Sequence, residues 1–187
     1  MLPRLVLAVK NSNHPPAAWV HNKSEGADGT PVEVQIGGSC TLLDHGEKRP
    51  AVFCAGGIGI SPVLSQYREF LSRREKSQSN SPTMFLYSVS TQDELVFSDE
   101  LDLLASESNK SLDRMVFTLT QSSTWEPKTN YKSAELKTGR LMKTFLDSAP
   151  RDSIFYICGP PTMLDQAVEH LKTTGISPDS IQYEKWW

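Results

Sequence analysis

Two glycine-bearing elbows constrain this chain more than any other feature. The apolar run Ala51-Val52-Phe53-Cys54-Ala55 ends in Gly56-Gly57-Ile58-Gly59-Ile60-Ser61-Pro62. A second run, Ile154-Phe155-Tyr156-Ile157, ends in Cys158-Gly159-Pro160-Pro161-Thr162-Met163. Each run reads as a buried strand, and each elbow leads into a helical pattern. A glycine at a strand end lets the backbone approach a ligand with no Cβ in the way, and it tolerates positive φ. The N–H groups that open the next helix then point at anionic oxygens. That geometry suits a dinucleotide pyrophosphate. Taken alone, Gly-Gly-x-Gly also suits a tight turn, and Pro62 stands where the Gly-x-Gly-x-x-Gly pattern has its third glycine.

From Ala51 onward strands and helices alternate. Thr83–Ser88, Met115–Thr120 and Ile181–Glu184 read as further strands; helical faces run over Val63–Leu71 before a polar loop at Ser77–Pro82, from Ser98 through Leu104, over Gly139–Leu146, and over Met163–Leu171 with Gly175 as the close. Ser61 is expected to cap the first of these helices with Pro62 at its first position, and Gln121 to about Thr138 reads as a polar loop. The pattern predicts an α/β fold with a doubly wound, mostly parallel five-stranded sheet. In such a sheet ligands bind at the carboxyl ends of the strands, where both elbows lie.

Residues 1–46 differ in character. Leu5–Lys10 and Val32–Ile36 look like strands, with a short proline-led helix between them at Pro15–His21. Two or three strands do not make an independent domain, so 1–46 reads as the end of a β-structure and 51–187 as the domain that carries the elbows. Met1-Leu2-Pro3-Arg4 runs straight into a strand-like segment, which predicts no targeting peptide.

Composition narrows the classes of function. The formal charge of -3 supplies no basic surplus to neutralise nucleic-acid phosphates, and no run has the apolar length of a membrane span. Cys40, Cys54 and Cys158 have no Cys-x-x-Cys spacing and no neighbouring His pair, so neither a metal site nor a disulfide framework is expected. Cys54 reads as a small core residue. His14, His21, His45 and His170 form no cluster in sequence.

Gly-Gly-x-Gly together with Cys-Gly-Pro-Pro-x-Met resembles the ferredoxin-NADP reductase superfamily of flavin-dependent oxidoreductases. The chain is most similar to its branch of oxidoreductase NAD-binding domain-containing proteins, which end in a comparable Glu-Lys-Trp-Trp. The resemblance is firm over 51–187 and looser over 5–43. It implies a partial FAD-binding β-barrel in 1–46, an NAD(P)-binding domain in 51–187, and hydride transfer between nicotinamide and FAD. It implies that Gly56, Gly57, Ile58, Gly59, Ile60 and Ser61 cradle the pyrophosphate while Pro62 starts its helix. Cys158 would lie beside the nicotinamide, with Gly159, Pro160, Pro161 and Met163 shaping that wall. Ser88, Thr120 and Gln121 would line the ribose and adenine side, Glu184 would meet the carboxamide, and Trp186 or Trp187 would stack on the flavin. A mitochondrial address is implied by the resemblance, with a cytoplasmic one as the alternative.

Alternatives remain at this level. Cys158 is either a nicotinamide neighbour or a buried thiol, and the terminal tryptophans are either flavin contacts or an apolar plug. The Arg-x-Tyr-Ser of the family is missing, and His14-Pro15-Pro16-Ala17 stands where its Gly-x-x-Ser phosphate loop belongs. Weak FAD binding is therefore expected. Gln121-Ser122-Ser123-Thr124 lacks the arginine with which relatives hold a 2′-phosphate, which favours NAD over NADP. Two functions compete. One is an NADH-dependent flavin oxidoreductase with an unknown electron acceptor. The other is a non-catalytic dinucleotide-binding module that senses nucleotide or joins a partner.

Overall fold

A computed structural model describes residues 8–22, 31, 33, 35, 37–107, 113–126 and 131–185. The chain divides into two compact units, Met1–Ser39 and Cys40–Trp187. In the first, helix α1 spans Pro15–Asn22 and buries Ala17. The strand expected over Leu5–Lys10 does not form at Ala8–Lys10, where no described residue offers a ladder partner; Leu5–Leu7 and Val32, Val34 and Ile36 lie outside the described residues.

The second unit is built on six strands: β1 (Ala51–Gly56), β2 (Thr83–Val89), β3 (Arg114–Leu119), β4 (Glu135–Thr138), β5 (Ile154–Gly159) and β6 (Ile181–Lys185). They pair in the order β4-β3-β2-β1-β5-β6, every pair parallel. Four helices connect them: α2 (Ile60–Lys76), α3 (Ser98–Glu107), α4 (Met142–Asp147) and α5 (Pro161–Thr173). Both faces of the central strands are covered. Phe53, Tyr67, Phe70, Phe85 and Tyr156 fill one layer, and Val52, Cys54, Leu86, Phe155, Ile157 and Leu171 the other. This is why β1 and β5 read as unbroken apolar runs rather than as alternation. In the aromatic layer Phe53 stacks on Tyr156 at 5.0 Å and meets Tyr67 edge to face at 5.2 Å between ring centroids.

Three expectations need correction. The sheet has six strands, because Glu135–Thr138 forms an edge strand where a polar loop was expected. Its only apolar side chain is Leu136, and short polar strands are what sheet edges tolerate; an Arg114–Glu135 ion pair at 2.8 Å helps hold it to β3. The crossover into β4 has no helix among its described residues. It is fastened instead by the Asp102 carboxylate, which accepts from the backbone N–H groups of Lys132, Ser133 and Ala134 at 2.9, 2.8 and 3.1 Å. The Trp125 indole N–H adds a bond to the Lys137 carbonyl at 2.9 Å. Finally, α2 is capped by Gly59 rather than Ser61. Gly57–Gly59 form a tight 3-10 turn that starts the helix early, so Ser61 and Pro62 fall inside its first turn, where a missing N–H still costs nothing.

Candidate dinucleotide site

The chain runs β1 to β2 toward one side of the sheet and later returns to β5 on the other side of β1. The topological switch point therefore lies between β1 and β5, and a crevice opens there at the carboxyl ends of the strands. Both elbows sit on this crevice. Ala55 pairs with Cys158 in the ladder, so Gly56 and Gly159 end adjacent strands side by side.

Close approach explains three of the glycines. A Cβ on Gly56 would stand 2.6 Å from the Met163 Sδ and 2.8 Å from the Pro160 Cδ. One on Gly59 would collide with the Cys158 carbonyl, and one on Gly159 would stand 2.5 Å from the Met163 Cε and 3.0 Å from the Gly56 Cα. Gly57 is different in kind: its φ is +51° and nothing lies within 4 Å of where its Cβ would be. It turns the chain and leaves open space at the mouth of α2.

Ile58 is half-buried at that mouth, and Ile60 is buried under it. The Ser61 hydroxyl is buried with no hydrogen-bond partner among the described residues. An orphaned hydroxyl in the first turn of a 17-residue helix is what an absent anionic ligand would leave behind. The residues present thus fit a pyrophosphate.

Toward β2, Ser88 is the ladder partner of Gly56 and is half-buried near the strand's end. Thr120 and Gln121 follow β3, tied down by Thr120 N–H to the Val89 carbonyl (2.9 Å) and Gln121 N–H to the Ser90 carbonyl (3.0 Å). The Thr120 hydroxyl donates to the same Val89 carbonyl at 3.1 Å, so it serves the turn itself. The exposed side chain of Gln121 is at liberty to meet a ligand. Glu94, which the sequence did not single out, accepts from the Ser90 N–H at 3.1 Å and fixes a carboxylate just beyond β2.

At the opposite end, Cys158 is 1% exposed and belongs to the same core layer as Ala55 and Tyr156. Glu184, half-buried on β6, is its ladder partner. Pro160 begins the turn and Pro161 opens α5. Trp186 and Trp187 lie outside the described residues. Two residues that had no sequence signal join this end. The Gln66 side-chain amide, 8% exposed, donates to the Cys40 carbonyl at 2.6 Å. Burial pushes the Cys40 thiol up, the Gln66 contact offsets part of this, and the charge of Glu184 adds to it. Cys40 was invisible because it belongs to a segment with no periodicity, joined to the sheet only in three dimensions.

The comparisons agree with this geometry. The sequence model of the oxidoreductase NAD-binding domain family matches residues 53–169. "Oxidoreductase NAD-binding domain-containing protein 1" of Pongo abelii is 34% identical over 193 residues; the alignment covers 97% of this chain, which spans 59% of that relative's length. Among solved structures, the cytochrome P450 reductase GcoB of Amycolatopsis superposes with a TM-score of 0.63 at 24% identity, over 79% of this chain and 41% of that one. The ferredoxin-NADP+ reductase of Plasmodium falciparum superposes at 0.56 with 16% identity, over 80% and 57%. The last two show a shared fold, that of ferredoxin-NADP reductase-type proteins.

Proposed function

The chain belongs to the oxidoreductase NAD-binding domain family, and from that premise we propose that it supplies the nicotinamide half of a flavin-dependent NAD(P)H oxidoreductase, with a preference for NAD(H). The observation that carries this reading is the pairing of two elbows at the switch point with an orphaned Ser61 hydroxyl and an open Gly57. The backbone N–H groups of the Gly57–Gly59 turn and the start of α2 hold the pyrophosphate, aided by the helix dipole. Ser61 adds a hydroxyl. Gln121 and Ser88 border the adenosine, and Glu94 offers a fixed carboxylate beyond β2. A carboxylate there suits a ribose hydroxyl and repels a 2′-phosphate, and Gln121-Ser122-Ser123-Thr124 brings no guanidinium to offset it.

When bound, the reduced nicotinamide supplies a hydride. Cys158 packs the wall against the ring, and Glu184 orients the carboxamide from the neighbouring strand. Neither has to move a proton, since the reaction of this class depends on distance and orientation. Trp186 keeps the flavin-facing role that the resemblance implies.

Flavin itself fits this chain poorly. Pro15 and Pro16 open α1 where relatives have a phosphate loop, and prolines have no N–H to donate. We read residues 1–46 as the remainder of a flavin barrel that retains FAD weakly.

The test is to add excess FAD to the purified chain, desalt it, and follow flavin absorbance before and after anaerobic NADH, alongside NADH and NADPH titrations. Retained flavin that bleaches with NADH makes the chain a reductase. A colourless chain that binds NADH is a dinucleotide-binding module. A chain that binds neither dinucleotide overturns the reading, and NADPH binding about tenfold tighter, ~1.4 kcal/mol, overturns the NAD preference.

A further inference from the structure

We propose that Met163 is a positioning residue: it sets the spacing of the two elbows, and through that spacing the affinity of the crevice for the dinucleotide. The inference rests on the dinucleotide reading above. It departs from the expectation that Met163 touches the cofactor.

Half-buried Met163 packs against the core layer that α4 and α5 cover. Its thioether lies against both elbows at once. The Sδ and Cε stand 2.6 and 2.9 Å from a Cβ placed on Gly56, and the Cε stands 2.5 Å from one placed on Gly159. Those two glycines are themselves in backbone contact, so a single side chain bears on the junction. The reach follows from helix geometry. Met163 is the third residue of α5, and helical side chains lean back toward the N-terminus, here over Pro160 and the two strand ends. An unbranched thioether can follow that narrow path, where a β-branched chain cannot.

The consequence is a coupling between sites far apart in sequence. Gly56 leads to the pyrophosphate turn and Gly159 to the nicotinamide wall. With Met163 in place their separation is fixed. Without it, Pro160 against Gly56 and Gly59 against the Cys158 carbonyl still join the elbows, but the one side chain that bears on both glycines is lost and their spacing loosens. A dinucleotide that must touch both then pays for ordering them.

The experiment uses the full chain and NADH as the probe. Titration calorimetry on wild type, Met163→Leu and Met163→Ala is paired with urea unfolding of each. We expect Met163→Ala to stay folded and bind NADH about tenfold more weakly, while Met163→Leu, of similar volume, stays within about twofold of wild type. Gly159→Ala drives a methyl into the Met163 Cε and should also weaken binding; adding Met163→Ala should then recover part of the loss, as coupled neighbours do. Should Met163→Ala fail to fold, Met163→Val takes its place in both comparisons. A folded Met163→Ala that binds NADH like wild type, or a double variant no better than Gly159→Ala, reduces Met163 to a core filler and overturns the proposal while leaving the dinucleotide reading intact. Wild type that binds no NADH removes the reading and this proposal together.

Discussion

Gly159 stands against Gly56 at the ends of two parallel strands, so close that a Cβ on Gly159 would lie 3.0 Å from the Gly56 Cα and 3.1 Å from its amide nitrogen. The crevice between the elbows is therefore bounded by bare backbone. Among the described residues, the Met163 and Pro160 side chains bear on Gly56 there.

Glycines of the first elbow should separate stability from binding. A methyl on Gly59 meets the Cys158 carbonyl, a backbone atom that cannot rotate away, so Gly59→Ala should destabilise by about 1–3 kcal/mol, read from the urea midpoint. Gly57→Ala meets no neighbour and should lose only the cost of its left-handed φ, about 1–2 kcal/mol. It places a methyl in the open space, however, and NADH titration should show the larger loss there.

Ser61→Ala should move stability and binding in opposite directions. Its hydroxyl is buried and unpartnered without ligand, so removing it should leave the ligand-free chain as stable or up to ~1 kcal/mol more stable. NADH affinity should fall. Equal affinity in the two proteins would take Ser61 out of the site.

The most buried ion pair among the described residues lies at the other end of the sheet. Arg74 grips Asp113 with two bonds, at 2.6 and 2.8 Å, while the Thr83 N–H and hydroxyl donate to the same carboxylate. The side chains are 12% and 5% exposed. Asp113→Ala leaves a buried guanidinium unpaired and should cost about 3–5 kcal/mol in chemical denaturation.

The same pair sets an acid limit. Burial alone raises the Asp113 carboxyl, but the hydrogen bonds from Arg74 and Thr83 and the Arg74 charge outweigh it and hold it below the usual carboxylate range. A depressed folded pKa stabilises the fold above the unfolded value of about 3.9 and is lost as pH falls from there through the folded value. Stability measured downward from pH 5 should drop, and Asp113→Asn should flatten that part of the profile.

Asp102→Ala should act locally. The three amides at Lys132–Ala134 lose their common acceptor, so hydrogen exchange there should quicken while the amides of β1 and β5 remain protected. Uniform acceleration through the sheet would show that the crossover is part of the global folding unit.

Much of the sheet was legible because its signals are local. Ala51–Ala55 and Ile154–Ile157 are apolar on both faces, and each is followed by glycine and a helix start. A strand buried on both sides has few other ways to read. The two strand-to-helix elbows were legible at Gly56–Pro62 and Cys158–Met163 for the same reason. β4 was not: Glu135-Leu136-Lys137-Thr138 carries almost no apolar signal, and its pairing comes from the free edge of β3. Glu94 hides among the acids of a short 3-10 turn, and its bond to the Ser90 N–H shows only in the folded chain.

By itself the sequence determined the central strands and the helices after them, and where glycines leave bare backbone, because burial pattern and glycine placement act over a few residues. Tertiary structure alone decided that β1 and β5 are neighbours across the switch point, which brings Gly56 to Gly159. It also decided that the Met163 thioether lies against both glycines, and that the Gln66 amide meets the Cys40 carbonyl. Those relationships depend on strand order and on close packing between distant segments, and neither leaves a periodic trace in the chain.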